Sequence, residues 1–299
     1  RSTLFPYTTL FRSPYSGGLE GELIERLREA VSVRLMSEVP LGAFLSGGVD
    51  SSAVVAMMAQ ASSSQVNTCS ISFDDPRFDE ARYAQMVAER YRTNHHVDVV
   101  ESEDFDLIDT LARSYDEPFA DSSAIPTYRV CELARRRVTV ALSGDGGDEG
   151  FAGYRRHRWH MKEEGIRSAL PLAVRRPLFG ALGAVYPKLD WAPRVLRAKS
   201  TFQSLALDSI GAYFNTVSVV PDSVRRGLLS GDLRGTINGY SAHEVLRTFD
   251  ARATKLDPLA RIQYVDFKTY LCGDILTKVD RASMAHSLEV LYGDRKSVV

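Results

Sequence analysis

Short apolar runs alternate with helix-patterned segments through the first half of this 299-residue chain, and no other feature constrains the fold as strongly. The pattern predicts strands at residues 41–45, 68–73, 96–100 and, as the last one, 138–142. It predicts helices at residues 19–36, 80–91, 103–115 and 124–136, and one from residue 53 that is capped by Asp50, Ser51 and Ser52. This alternation favours an α/β fold with a doubly wound parallel sheet and helices on both faces. Ligands of such sheets bind at the carboxyl ends of the strands.

The second half of the chain has a weaker pattern. Residues 165–254 contain scattered prolines, many Leu and Ala residues and no recognisable catalytic motif, so we expect this part to be mainly helical. Helical periodicity returns at residues 259–271, ahead of a charged segment at residues 274–281. The basic run Arg155-Arg156-His157-Arg158 is interpreted as a solvated helix face and not as a nucleic-acid patch.

Composition narrows the class of protein. The formal net charge is −1, so no bulk field attracts nucleic acid or an anionic membrane. No apolar run approaches the length of about 18 residues that a membrane span requires. The three cysteines, Cys69, Cys131 and Cys272, are too few and too scattered for a disulfide framework, and an odd count suits a reducing compartment. We expect a cytoplasmic protein that acts on small molecules, with no nucleic-acid or membrane partner.

Both ends of the chain look non-native. Residues 1–13 (RSTLFPYTTLFRS) lack a starting Met and resemble a translated sequencing adaptor, and the closing segment DRKSVV at residues 294–299 raises the same suspicion. We therefore expect a gene fragment whose own sequence covers residues 14–293. Within it, we expect a nucleotide-binding α/β core at about 14–162 and a mainly helical part at about 163–293.

The first chemical motif is SGGVDSS at residues 46–52, which follows a predicted strand. Glycines let the backbone approach a phosphate, and the following helix points its positive end at the same spot. The motif lacks the Lys and the glycine spacing of a Walker A loop, which argues against γ-phosphoryl transfer of that kind. Asp50 would need a cation between itself and a phosphate, so it is interpreted as a magnesium ligand. The alternative is an ordinary strand-to-helix turn with Asp50 as helix cap.

The second motif is SGDGGDE at residues 143–149, which also follows a predicted strand and is continued by Gly153-Tyr154. Its acidic side chains, Asp145, Asp148 and Glu149, would repel one another unless a metal ion or a basic group lay among them. An acidic, Gly-rich loop can also be a plain solvated turn. Its predicted position beside the first loop favours the functional interpretation.

Together these motifs resemble the synthetase domain of glutamine-hydrolysing asparagine synthetases. The resemblance also includes DILTKVDR at residues 274–281 and SLEV at 287–290, and it spans roughly residues 21–290. The segments DEPFADSS (116–123) and SMAH (283–286) most resemble bacterial members, including amidotransferases of exopolysaccharide and exosortase gene clusters. The implied fold is that of the PP-loop ATP pyrophosphatases, similar to the adenine nucleotide α-hydrolases.

The resemblance assigns roles to individual residues. It implies that the first loop holds the pyrophosphate portion of ATP through Ser46, Gly47, Gly48, Asp50 and Ser51. Two further residues, Leu45 and Ile71, would border the nucleoside. A pair in the second loop, Ser143 and Gly144, would also contact ATP. The resemblance implies that Asp148 binds Mg²⁺ opposite Asp50. The implied catalytic residues are Asp145, Glu149 and Lys278. The family usually has Glu at position 145, so the shorter Asp145 keeps the charge but shortens its reach.

The implied reaction is an ATP-dependent ligation. A carboxylate, by resemblance the aspartate side chain, attacks the α-phosphorus of ATP, and ammonia then displaces AMP to give the amide. Lys278 and magnesium would neutralise the departing pyrophosphate. Asp121, Ser122 and Ser123 are candidates for binding the carboxylate substrate, with a helix N-cap as their structural alternative.

The family's full-length form carries a fused N-terminal glutaminase domain, which we expect to be absent here, and full-length members are expected to form homodimers. The fragment is therefore expected to use only free ammonia. An amidotransferase that acts on another carboxylate in exopolysaccharide synthesis is the alternative within the family. Two other interpretations stay open. One is another pyrophosphatase of the same loop class, acting on a nucleotide, argininosuccinate or transfer RNA. The other is an inactive nucleotide-binding module.

Overall fold

The structure is a computed structural model that describes residues 18–75, 77, 79–100, 104–188, 191, 193 and 198–292, apart from the side chains of residues 104, 105 and 223. The two ends predicted to be non-native lie outside these residues. The chain forms two compact units. The first runs to Gly147 and resumes at Asp274, and the second is Asp148–Gly273. The boundary falls within the second Gly-rich motif, and the domain limits expected from the sequence stay a prediction.

The first unit contains a parallel sheet of five strands in the order β3-β2-β1-β4-β5. All four neighbouring pairs are parallel, which confirms the predicted doubly wound α/β class. The strands are β1 (Leu41–Phe44), β2 (Asn67–Phe73), β3 (Asn94–Val100), β4 (Val140–Ser143) and β5 (Glu289–Tyr292). The fifth strand was missed, because a four-residue edge strand after a helix has no alternating pattern long enough to detect.

Helices cover both faces of this sheet. They are α1 (Leu19–Arg34), α2 (Val49–Ala61), α3 (Ala81–Tyr91), a 3₁₀ turn (Asp104–Leu107) that leads into α4 (Ile108–Ser114), and α5 (Ala124–Arg135). Successive strand residues point to opposite faces. Ala43 and Leu142 accordingly pack in one cluster with Val54 of α2. Phe44 and Ala141 pack in another cluster with Cys131 of α5 and with Ala282.

The second unit, and the segment after it that leads back into the first unit, are mainly helical, as expected. The helices are α6 (Gly147–Phe151), which crosses the unit boundary, α7 (Arg155–Ala169), α8 (Leu172–Val185), α9 (Lys199–Leu205), α10 (Ser209–Val217), α11 (Asp222–Leu228), α12 (Gly231–Ile237), α13 (His243–Arg252), α14 (Pro258–Lys268), a π-helical turn (Leu271–Ile275) and α15 (Leu276–Met284). The carboxylate of Asp257 caps α14 by accepting hydrogen bonds from the N–H groups of Leu259 and Ala260. Within the described residues, no helix has the length and apolarity to cross a bilayer.

The predicted cap of the second helix was wrong. The helix begins at Val49 with Gly48 at the N-cap position, and no side chain makes a capping hydrogen bond. Gly47 has φ +82°, a conformation in which only glycine is unstrained, so the chain turns directly from strand into helix. Asp50 and Ser51 therefore lie in the first turn of α2, and Asp50 is not its cap.

Leu142 offers a test of this core. Its side chain is fully buried on β4, an interior strand of the sheet, so Leu142→Ala should lower the free energy of unfolding by about 2–5 kcal/mol. Leu228→Ala removes the same atoms at a site that is 79% exposed and should change it by less than about 0.5 kcal/mol. Urea denaturation of the two variants measures both effects, and equal losses would contradict the assigned core.

Candidate functional site

Both Gly-rich motifs lie at the point where the strand order of the sheet reverses. From β1 the chain builds outward to β2 and β3 on one side, whereas β4 and β5 lie on the other side. The first motif follows β1 and the second follows β4, and these two strands are neighbours. Their carboxyl ends meet at the topological switch point, where open α/β sheets bind their ligands.

The first loop is held by its own serines. The Ser46 hydroxyl accepts a hydrogen bond from the Gly48 N–H at 3.2 Å and lies 3.0 Å from the Ser51 hydroxyl. A side chain on Gly47 would lie 2.6 Å from both the Ala84 nitrogen and the Tyr83 Cβ. The loop therefore has one compact conformation, and the N-terminal end of α2 directly follows it. The first N–H groups of a helix have no acceptors within it, so this end favours an anion.

The second loop lies against the first. A Cβ on Gly144 would lie 2.6 Å from the Ser51 nitrogen, and a Cβ on Gly147 would lie 2.5 Å from the carboxylate carbon of Asp50. Neither position accepts a side chain without displacing backbone or Asp50. The two motifs that were paired on sequence grounds are thus in direct contact, with Asp50 and Ser51 at the point of contact.

Asp145 is half-buried in the second loop. The Ser143 hydroxyl donates a hydrogen bond of 2.5 Å to the Asp145 carboxylate. Burial raises the pKa of Asp145, while the Ser143 hydrogen bond and the positive charge of Lys278 oppose that rise. Asp145 therefore lies close enough to Lys278 for their charges to interact.

Lys278, on α15, is almost fully buried, at 7% exposure. Its ammonium donates hydrogen bonds to the Asp121 carboxylate at 2.6 Å and to the Ser123 hydroxyl at 2.7 Å. Ser123 occupies the N-cap position of α5, although its side chain makes no capping hydrogen bond. Ser122 between them is exposed. The structure brings Asp121 and Ser123 together with Lys278, which the sequence did not predict.

A groove of about 610 Å³ lies beside this cluster. Its walls are mainly apolar and include the stacked rings of Tyr115 and Phe119, whose centroids are 4.3 Å apart. Acidic and hydroxyl side chains also line it. The lining residues are Ile108, Leu111, Ala112, Tyr115, Asp116, Glu117, Pro118, Phe119, Asp121, Ser122, Ala124 and Ile125.

The two residues expected to border a nucleoside differ in burial. Leu45 is buried in the core cluster with Ala43 and Val54, so only its backbone could contact a ligand. Its N–H donates to the Cys69 carbonyl at 2.9 Å. Ile71 is half-buried on β2, the strand next to β1 on the side away from β4.

Glu149 belongs to the second unit and is buried there, at 1% exposure. The Tyr154 hydroxyl donates a hydrogen bond of 2.7 Å to its carboxylate. The Gln263 amide donates to the main-chain oxygens of Glu149 and Gly150, each at 2.9 Å. Burial raises the pKa of Glu149, and the negative charges of Asp266 and Asp148 raise it further, while the Tyr154 hydrogen bond opposes the rise.

A buried polar network supports Tyr154. The Arg156 guanidinium lies 3.6 Å from the centre of the Tyr154 ring. The same guanidinium donates to the Asp266 carboxylate at 2.9 Å and to the Tyr213 hydroxyl at 3.0 Å. The Tyr213 hydroxyl and the His157 ring also contact Asp266, at 2.5 and 2.9 Å. One buried carboxylate thus holds three neighbouring groups.

The solvated-face interpretation of residues 155–158 was therefore wrong for Arg156 and His157, although Arg155 and Arg158 are exposed. Asp266 and Gln263 were missed altogether. An acidic residue between Val265 and Phe267 was the available signal, because a charge inside an apolar run indicates a buried pair.

The chain matches the model of the asparagine synthase family over residues 22–292. This chain belongs to the asparagine synthase family. It is 37% identical over 260 residues to a putative glutamine-hydrolysing asparagine synthetase 2 of Methanocaldococcus jannaschii, covering 86% of this chain and 48% of that protein. It is 30% identical over 276 residues to asparagine synthetase 1 of Bacillus subtilis strain 168, covering 91% and 42%. An amidase, chyE, of Penicillium rubens is 26% identical over 304 residues, covering 89% and 42%. The chain thus spans about half or less of each relative's length.

The relationship to the asparagine synthase family makes Asp50 and Asp148 the candidate magnesium ligands. Magnesium is usually held by one or two carboxylates together with substrate phosphates, and these residues supply that donor set. The described residues contain no cluster of three or more His, Cys, Asp or Glu side chains arranged around a metal. Asp50 belongs to the first unit and Asp148 to the second, so their joint coordination of magnesium stays a prediction.

Gly144→Ala tests the contact between the loops. Its methyl group would lie 2.6 Å from the Ser51 nitrogen, so we expect ATP affinity, measured by titration calorimetry, to fall by about 10-fold or more. Gly180→Ala adds the same methyl group inside α8, where nothing lies within 4 Å. It should leave ATP affinity unchanged. Equal affinity in both variants would show that the loops need not touch.

Asp266→Asn tests the buried network. Removing the charge leaves the part-buried guanidinium of Arg156 without its ion-pair partner, so we expect a loss of about 3–5 kcal/mol in unfolding free energy. Asp116→Asn breaks an exposed pair with Arg281 and should cost less than about 1 kcal/mol. Urea denaturation measures the loss in each variant. A loss below about 1 kcal/mol for Asp266→Asn would contradict the conclusion that this carboxylate holds the buried network together.

Proposed function

We propose that this chain carries the ATP-dependent, amide-forming ligase activity of its family. A carboxylate is activated as its adenylate with release of pyrophosphate, and ammonia then displaces AMP. The observation that carries this proposal is the contact of the two Gly-rich loops at the switch point, where Gly144 and Gly147 lie against Ser51 and Asp50. This contact brings Asp50 and the first turn of α2 to the carboxyl ends of β1 and β4, where open α/β sheets bind their ligands.

The first loop would bind the pyrophosphate portion of ATP. Ser46, Gly47, Gly48 and Ser51 surround the N-terminal end of α2, which favours negative charge. Gly144 approaches the same turn from the second loop, and Ser143 directly precedes it. With the Walker A lysine missing from this loop, the arrangement suits cleavage next to the α-phosphorus better than transfer of the γ-phosphoryl group.

Asp50 and Asp148 are the residues that would hold magnesium. Bound there, magnesium supplies positive charge that offsets the repulsion between the attacking carboxylate and ATP. Asp148 directly follows Gly147, whose backbone lies against the Asp50 carboxylate. The conformation of Asp148 also depends on a glycine, since a Cβ on Gly153 would lie 1.9 Å from its carboxylate oxygen.

Lys278 and Asp145 would act during adenylation. The ammonium of Lys278 would stabilise charge on the departing pyrophosphate without covalent chemistry. Burial raises the pKa of Asp145, so its carboxylate has a higher proton affinity than an ordinary aspartate.

Glu149 would act in the second half-reaction. As ammonia attacks the acyl carbon, the bond to the AMP oxygen breaks and a proton must leave nitrogen. A buried carboxylate whose pKa is raised accepts a proton more readily than an ordinary one. The hydrogen bond from Tyr154 fixes its orientation for that step.

Aspartate is the acceptor that the family relationship supports. The apolar groove beside Ser122 supports a second candidate, a carboxylate with an apolar portion. Aspartate has no such portion to place against Tyr115 and Phe119. Because the M. jannaschii and B. subtilis relatives are named as glutamine-hydrolysing, we further propose that ammonia comes from glutamine in the whole protein.

The direct test supplies ATP, magnesium and ammonium with aspartate or with acids that carry apolar groups, and follows AMP, pyrophosphate and ADP. We expect AMP and pyrophosphate in equal amounts and only with a productive acceptor. ADP as the product would contradict the adenylate mechanism. An acceptor preference for acids with apolar groups would decide for the second candidate.

Asp50→Asn tests the role of the first loop. We expect the rate of pyrophosphate release to fall by about 100-fold, because the variant loses the charge that holds magnesium. Asp222→Asn removes a carboxylate that pairs with Arg225 and Arg226 in the second unit and should keep the original rate. Undiminished turnover in Asp50→Asn would remove Asp50 from the metal site.

A further inference from the structure

We propose that Asp121 and Ser123 are positioning residues for Lys278, holding its ammonium where the departing pyrophosphate would develop charge. This inference rests on the proposed function, because it assumes that Lys278 acts on pyrophosphate. It assigns Asp121 and Ser123 to the positioning of Lys278. Of the three residues predicted to bind the carboxylate substrate, only Ser122 keeps that role.

The three side chains form a closed set of hydrogen bonds. Lys278 donates to the Asp121 Oδ2 atom at 2.6 Å and to the Ser123 Oγ atom at 2.7 Å. Ser123 Oγ in turn donates to Asp121 Oδ2 at 2.7 Å. The main-chain N–H of Ser123 donates to the other oxygen, Oδ1, at 2.8 Å. Both oxygens of Asp121 are therefore engaged, and its carboxylate has one orientation.

The loop and helix that carry these groups are themselves fixed. Ser123 stands at the start of α5, and α5 packs against α15 through Cys131, Leu133 and Ala282 of one core cluster. The Tyr115 hydroxyl donates to the Lys278 main-chain oxygen at 3.4 Å. A lysine has a flexible four-carbon stem. Its buried ammonium keeps one position only if nearby acceptors select it, and these two do so.

Charge favours this role over contact with a substrate carboxylate. Burial alone would raise the pKa of Asp121, but hydrogen bonds from Lys278 and Ser123 bring it below its usual value. Asp121 therefore stays ionised at neutral pH, and an ionised carboxylate repels another carboxylate. Ser122 is exposed and lines the groove, so its side chain is accessible to a carboxylate substrate.

The position of the ammonium also connects the cluster to the second loop. The charge of Lys278 lowers the pKa of Asp145 against the effect of burial. Asp145 follows Gly144, which lies against the first turn of α2. A shift of Lys278 away from Asp121 would thus change the field at the loops that are proposed to bind ATP.

The kinetic test uses the full chain and measures pyrophosphate release as a function of acceptor concentration. For Asp121→Asn and Ser123→Ala we expect kcat to fall by about 10- to 100-fold while the acceptor KM stays within about 2-fold. Ser123→Thr keeps the hydroxyl and should restore the rate. Glu132→Gln is the matched control, because Glu132 is a half-buried carboxylate on α5 that pairs with Arg129 and Arg136. A raised KM with unchanged kcat in Asp121→Asn would assign Asp121 to the substrate and overturn the proposal.

A second measurement does not need turnover, so it separates failure of this inference from failure of the proposed function. Acetylation by an amine-reactive ester is followed at Lys278 by mass spectrometry, with the exposed Lys255 as internal reference. We expect slow labelling of Lys278 in the original chain and at least about 5-fold faster labelling in Asp121→Asn. Glu132→Gln should change neither site. Unchanged labelling of Lys278 in a folded Asp121→Asn variant, verified by thermal denaturation, would overturn the proposal even if the chain proved inactive.

Discussion

The candidate site depends on two backbone segments that approach more closely than side chains would permit. At Gly144 and Gly147, the space for a Cβ is already occupied by the Ser51 nitrogen and the Asp50 carboxylate. The parallel pairing of β1 and β4 brings the two loops to the same edge, and the absence of side chains lets them touch. Asp145 lies on the second of these loops, directly after Gly144, and the charge of Lys278 acts on it.

The sequence predicted this part of the molecule well because its signals are local. Strand-to-helix alternation identified the sheet, and the residue types in SGGVDSS and SGDGGDE indicated two loops that belong together. The helix start was misplaced by four residues, from residue 53 to Val49. Asp50, Ser51 and Ser52 have good capping side chains, and capping propensity alone could not show that a positive φ at Gly47 would start the helix earlier.

What the sequence did not predict arises from contacts between residues far apart in the chain. Lys278 meets Asp121 and Ser123 across 157 and 155 positions, and Gln263 meets Glu149 across 114. Hydrophobic periodicity in the sequence does not reveal such long-range pairs. The strand β5 has the same origin, since Glu289–Tyr292 becomes a strand because β4 offers it an edge. Its own four residues are too few to indicate one.

The second unit shows why a segment without motifs can still be built around a chemical group. Asp266, on α14, gathers Arg156, His157 and Tyr213 in an interior where an unpaired charge would be costly. Replacing a buried ionic set by apolar side chains is often neutral or stabilising, so stability alone does not account for this set. The set holds a guanidinium against the face of Tyr154, and Tyr154 holds the carboxylate of Glu149. The polar interior thus ends at the buried carboxylate of Glu149, which it orients through Tyr154.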